Sequence, residues 1–199
     1  MKKYHEVVNI KNNDGVVKSV KLKYKKYDST DCKKLLDIYN GWVKLSRKTK
    51  SFDGRLINLP ECISEKACAI LLNYVFLNQK SLSIRGERIS TSFDCFDPLT
   101  GDKIQVKACS VEKDLTSFGP KSIYDRLFFL DFYNGGVYDG SFTITEINKN
   151  LIDHAQANDG QTVDDQKSEK RRPHISLKKI IEENNLVPTH HTLTKSKIL

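Results

Sequence analysis

The 199-residue chain reads as a mixed α/β (α+β) domain, with a central mixed sheet flanked by helices. Three observations predict this. Residues 67–77 (ACAILLNYVFL) are apolar nearly all round, as in a buried helix. Residues 88–97 and 102–109 alternate about Pro98-Leu99-Thr100-Gly101, as in a hairpin. Residues 126–133 (RLFFLDFY) are apolar enough for a central strand. A hydrophobic content of 38% supplies a core, and 29% charged residues supply a solvated exterior.

In chain order, VVKSVKL (16–22) alternates loosely, as in an edge strand or arm carrying lysines outward. Residues 30–46 place Leu35, Leu36, Ile38, Tyr39, Trp42 and Val43 at helical spacing, interrupted by Gly41. A loop through Ser51, Asp53 and Gly54 follows. The next helix is expected over 58–78, with Asn58 as cap, Pro60 in the first turn and Glu61 completing a capping-box pattern. Strands are expected at 88–97, 102–109, 126–133 and 141–147. Residues 156–170 are polar and read as mobile, 175–183 as a short amphipathic helix, and the last residues as frayed. The domain plan is a basic arm and helical part (1–57) packed on a core (58–185), then a tail (186–199).

Several classes drop out. No run of eighteen apolar residues exists, so no membrane span is expected. MKKYHEVVNI lacks the apolar region of a secretory signal. Five cysteines, none spaced C-x-x-C, argue against a disulfide framework or structural zinc and for a reducing compartment. Cys62, Cys68 and Cys95, among apolar neighbours, read as small core residues. The net charge of +8 is uneven, because residues 1–50 hold 14 basic and 5 acidic side chains. A second basic cluster runs from Lys167 through Lys170, Arg171 and Arg172 to Lys179. Two basic regions suit a polyanion, since each cation on a phosphate releases counterions.

The chemistry resides in the hairpin. With a four-residue turn at 98–101, Asp97 faces Asp102, Asp94 faces Gln105 and Ser92 faces Lys107. One face then carries Phe93, Cys95, Ile104 and Val106. The other carries Ser92, Asp94, Phe96, Lys103, Gln105 and Lys107. An acid, an amide oxygen and a lysine therefore share a polar face, while Asp97 belongs to the turn. Phosphodiester hydrolysis needs an activated water and charge relief, which a carboxylate-held magnesium ion and a neighbouring lysine supply. Lys103 lies on the same face as a phosphate contact or plain surface. A third acid would come from the preceding helix, where Glu61 and Glu65 share a face; Glu65 is preferred because Glu61 also serves as a cap.

Ser92-Phe93-Asp94 followed by Gln105-Val106-Lys107 resembles the PD-(D/E)XK nuclease motif, with Gln in the second acidic position. Leu59-Pro60-Glu61-Cys62-Ile63-Ser64-Glu65, Thr116-Ser117-Phe118-Gly119-Pro120 and Arg171-Arg172-Pro173-His174-Ile175-Ser176-Leu177 resemble small type II restriction endonucleases. The likeness implies a restriction-endonuclease-like core in which Asp94, Gln105 and Glu65 hold Mg2+ (Mn2+ substituting) and Lys107 orients the hydroxide. It implies cleavage of double-stranded DNA at a short palindrome leaving 5′-phosphate ends. It also implies a prokaryotic cytoplasmic homodimer and a cognate DNA methyltransferase as genetic partner. The neutral Gln105 makes the metal lean harder on Asp94 and the helix glutamate.

For DNA, Arg171, Arg172 and His174, with Lys170, form a recognition segment within 160–180. Arginine makes bidentate bonds to guanine in the major groove, and Pro173 stiffens the run. Arg85 and Arg88, before the active strand, and Ser117 and Lys121, in the loop after the hairpin, are secondary contacts. Two alternatives stand beside this reading. One is another nuclease of the superfamily (homing, junction-resolving or repair); the other is a non-catalytic DNA-binding regulator indifferent to Asp94→Ala.

Overall fold

The computed structural model describes residues 1–55, 57–78, 82–84, 86–90 and 92–199. It opens with a hairpin of two ten-residue strands, β1 (Lys2–Lys11) and β2 (Val17–Lys26), paired in unbroken register from Lys2↔Lys26 to Lys11↔Val17. The expected arm is thus the second strand of a longer unit. Val8, Ile10, Leu22 and Tyr24 fall on one face and are buried together. Helix α1 (Cys32–Lys50) runs through Gly41 without interruption, because Leu35, Tyr39, Trp42 and Val43 keep its inner stripe packed. Helix α2 (Glu61–Leu72) is shorter than expected. Asn73 adopts the left-handed conformation (φ 58°) and closes it, and the apolar run continues as strand β3 (Val75–Leu77). Pro60 occupies the cap position with no side-chain cap, so the capping role expected of Asn58 and Glu61 is absent.

The expected strand 88–97 is broken. Strands β4 (Leu82–Ile84) and β5 (Glu87–Ile89) form a separate hairpin, and only β6 (Cys95–Phe96) joins the main sheet. A bend at residues 93–94 carries Phe93 against Phe96, ring centroids 6.4 Å apart, although strict alternation put them on opposite faces. Across the 98–101 turn runs β7 (Lys103–Cys109), with Cys95↔Ile104 and Phe96↔Lys103 in the expected register. Gly101 (φ +81°) is required there, since a Cβ would lie 2.9 Å from the Cα of Ile10.

Strands β8 (Thr116–Ser117), β9 (Arg126–Asp131) and β10 (Ser141–Ile147) follow. β9 lies parallel to β7 and antiparallel to β10, which makes the sheet mixed. Residues 156–170 carry short elements: after helix α3 (Lys149–Asp153) come β11 (Gln156–Asn158), β12 (Gln161–Thr162) and α4 (Val163–Ser168). Val163 and Gln166 are buried, and Thr162 with Asp165 forms a capping box. Strand β13 (His174–Ile175) pairs with β8, and helix α5 (Leu177–Glu183) follows. The supposedly frayed end pairs with β10 through β14 (Thr189–Thr192).

The eight-stranded sheet runs β1-β2-β3-β6-β7-β9-β10-β14. Helices α1 and α2 cover one face over Cys95, Ile104, Val106, Phe128 and Leu130. The β1–β2 hairpin packs over Phe96, and α3–α5 pack over Leu127 and Phe129. All five cysteines are free; Cys68 and Cys95 are wholly buried and Cys62 partly so. Among the described residues no helix is long and apolar enough to cross a membrane.

Candidate active site

The bend that breaks the expected strand also shapes the site. Asp94 keeps the ladder through its N–H, which donates to the carbonyl of Ile104 (2.9 Å), while its side chain turns back along β7. Its Oδ2 accepts from the backbone N–H of Val106 (2.6 Å) and from Nε2 of Gln105 (2.5 Å). Among the described residues no donor reaches Oδ1. Asp94, Gln105 and Lys107 of the hairpin and Glu61, Ser64 and Glu65 of α2 line one cleft of about 410 Å³. Its far wall is the segment 108–117, including Ser110, Asp114, Thr116 and Ser117. The four expected catalytic residues are therefore brought together, and Glu61 joins them at the exposed rim.

Burial sets the electrostatics. Glu65 is pushed up to about 7, chiefly by desolvation and then by the charge of Asp94. Asp94 is raised to about 6 by burial, against the opposing pull of the Val106 N–H and the Lys107 ammonium. Burial also lowers Lys107, opposed by Asp94 and Glu61 and reinforced by Arg172. The Lys107 ammonium lies 5.5 Å from the ring centroid of Phe118, a cation–π contact that holds it beside the acid. Lys103 is different. It is 1% exposed and donates to the carbonyl of Asn12 (2.9 Å), tying β7 to the first hairpin. The expectation of a phosphate contact or surface lysine is corrected, because that hairpin covers its face.

A hard divalent cation fits this donor set. The available ligands are the free oxygen of Asp94, the Glu65 carboxylate and, with its amide turned, the Gln105 oxygen. Among the described residues no three His, Cys, Asp or Glu side chains cluster as a metal cage. Magnesium requires none, since it takes one or two carboxylates and keeps several waters. The mutual repulsion of Asp94 and Glu65 is what a cation there would relieve.

The model of the Bsp6I restriction endonuclease family matches residues 27–183. The type II restriction enzyme Bsp6I of Bacillus sp. (strain RFL6) is 31% identical over 176 residues, covering 86% of this chain and 93% of that protein. This chain belongs to the Bsp6I restriction endonuclease family. No solved structure matches it.

Membership makes this Bsp6I-family protein a restriction endonuclease, a hydrolase whose substrate is DNA, and points to a divalent metal as cofactor. Its other expected DNA contacts are distributed unevenly around the cleft. Ser117 lines it, and His174, exposed, pairs with Ser117 across β8–β13. Arg172 is exposed, and its charge acts on Lys107. Arg171 is engaged instead by Glu169 (3.1 Å) and by the side-chain oxygen of Gln161 (3.4 Å). Lys170 closes α4 in a left-handed conformation (φ 61°) where glycine is usual. Lys121 and Arg88 are exposed and stand outside the cleft walls, and Arg85 lies outside the described residues.

One residue of the Bsp6I-family site escaped sequence reasoning. Asp114 is buried and accepts from the Ser176 hydroxyl (2.5 Å) and the Leu177 N–H (2.7 Å), capping α5 from 63 residues away. It joins the cleft wall to the Arg171–Ser176 segment. Ser176 before an apolar run signals a helix start, but nothing in the sequence pairs it with Asp114.

Proposed function

We propose that this enzyme is a magnesium-dependent type II restriction endonuclease that cuts both strands of a short palindromic site, leaving 5′-phosphate and 3′-hydroxyl ends. The gathering of Asp94, Gln105, Lys107 and Glu65 in one cleft carries the reading. Asp94 and Glu65, with the Gln105 oxygen, would hold the ion. When bound, it neutralises phosphate charge and acidifies a water, and manganese would substitute.

The chain's own residues supply the rest. The Val106 N–H fixes one oxygen of Asp94 and leaves the other for the ion, while the Gln105 amide, turned from Asp94, presents its oxygen. The Lys107 ammonium orients the attacking water and meets charge developing on the non-bridging oxygens. The attacking water gives up a proton to solvent as its oxygen bonds to phosphorus in line with the 3′-oxygen, whose bond to phosphorus breaks and which takes up a proton from solvent. A two-fold homodimer matches a palindrome. A cognate methyltransferase protecting host DNA, and the cytoplasm of a prokaryote, complete the proposed setting.

Digestion of unmethylated phage DNA with magnesium, followed by sequencing of the ends, tests this. Discrete fragments with 5′-phosphates at one short sequence are expected, and Asp94→Ala should bind that sequence without cutting. Intact DNA with the wild-type enzyme, or unaltered cutting by Asp94→Ala, would refute it.

A further inference from the structure

The β1–β2 hairpin lies outside the family match, which begins at residue 27. Residues 1–26 nevertheless hold eight lysines against Glu6 and Asp14, or six of the net eight positive charges. Register sorts these lysines. The inner face packs Val8, Ile10 and Leu22 and stacks Tyr4 on Tyr24 (5.1 Å), with Glu6 accepting from the Tyr24 hydroxyl. The opposite face carries Lys3, His5, Val7, Lys21, Lys23 and Lys25, and places Lys3 across from Lys25 and His5 across from Lys23.

Among the described residues none of Lys3, Lys21, Lys23 and Lys25 forms an ion pair, whereas Lys11, further along the same face, is neutralised by Asp102 (2.5 Å). Lysines directly opposite one another destabilise a strand pair. An anion laid over them removes that repulsion.

The hairpin is held at both edges. β2 pairs with β3, and the end of β1 is bonded to the turn of the catalytic hairpin through Asn9 N–H to Pro98 O (3.3 Å), Lys11 N–H to Gly101 O (2.9 Å) and Asn9 Nδ2 to Leu99 O (2.8 Å). The lysine face therefore stands at a fixed offset from Asp94 and Lys107.

We infer that the outer face of the β1–β2 hairpin, Lys3, Lys21, Lys23 and Lys25, is a sequence-independent docking surface for the phosphate backbone of duplex DNA. The inference deepens the restriction-endonuclease reading and rests on it, since duplex DNA is that enzyme's substrate. Lys21 to Lys25 span about 13 Å at 3.3 Å per residue, a length over which duplex DNA presents about eight phosphate charges. The surface contributes affinity and the rate of encounter, while choice of sequence lies elsewhere.

The test compares the full chain with Lys21→Gln/Lys23→Gln/Lys25→Gln and with the charge-retaining Lys21→Arg/Lys23→Arg/Lys25→Arg. Binding to a cognate duplex and to an unrelated duplex is measured from 50 to 200 mM salt in calcium, together with single-turnover cleavage in magnesium at saturating DNA. The Gln variant should lose affinity for both duplexes by the same factor. Its slope of log K against log salt should shrink by about 0.9 for each lysine on a phosphate, so by about 2 to 3. Its saturated cleavage rate should be unchanged, and the Arg variant should bind as wild type does. An unchanged slope in a Gln variant with a wild-type melting curve, or a loss confined to the cognate duplex, would overturn the inference. A wild-type chain that never cuts DNA would sink the enzyme reading instead, and the slope comparison would still decide the docking surface.

Discussion

Glu65→Gln should stabilise the metal-free protein while abolishing its cleavage. In the folded chain burial and the Asp94 charge lift Glu65 from 4.5 to about 7. Between those pH values the folded state keeps a proton that the unfolded state has released, so wild-type stability falls as pH rises through this window. Below the window both states are protonated and the carboxyl costs nothing; above it the whole penalty is present. The interval from 4.5 to about 7 corresponds to roughly 3 kcal/mol at most. Residual solvation of this half-buried group reduces that to about 1–3 kcal/mol. Glutamine mimics the protonated acid and escapes the penalty. Thermal melts in EDTA should therefore show Glu65→Gln about 3–8 °C above wild type at pH 8, with the gap closing near pH 4.5. Magnesium should narrow the gap at pH 8 by stabilising wild type alone. A variant no more stable than wild type at pH 8, or a gap independent of pH, would refute a strained, metal-seeking glutamate.

Other outcomes follow from the same geometry. Lys107→Met should lower single-turnover cleavage by about 10²–10³-fold, with DNA affinity changed only a few-fold in a binding titration. Gln105→Glu sets a second carboxylate against Asp94, so it should lower the melting temperature in EDTA and tighten magnesium binding by calorimetry. Asp114→Ala leaves the Ser176 hydroxyl and the Leu177 N–H without their acceptor, while Ser176 still caps the Lys179 N–H, and should cost about 2–3 kcal/mol in urea unfolding. Gly101→Ala combines a positive φ with a Cβ 2.9 Å from the Ile10 backbone, and should cost about 2 kcal/mol or more by the same measurement.

Short-range signals explain what was legible. The 98–101 turn set the Cys95↔Ile104 register, and with it the placing of Asp94 beside Gln105. The apolar run 126–133 announced the strand, two residues longer than the observed β9 (Arg126–Asp131), that became parallel to β7. Where local patterns misled, a distant partner decided. Asn73 ended a helix whose apolar run continued, because Val75–Leu77 had a free edge of β2 to join. The alternation through Phe93 and Asp94 promised a strand, but the apolar floor under the first hairpin drew Phe93 in and bent the chain.

The order of residues was enough to fix the kinds of chemistry present: an acid, an amide and a lysine at hairpin spacing, a glutamate-bearing helix before them, and an excess of positive charge. Turn geometry and side-chain alternation are properties of neighbouring residues, so they survive in the letters. Tertiary structure alone decided which polar groups face water. It sealed Lys103 while leaving Lys107 beside Asp94, joined Asp114 to Ser176, and turned one lysine-rich face of the first hairpin outward. Those outcomes depend on desolvation by residues far away in the chain, and that burial exists only once the sheet has closed.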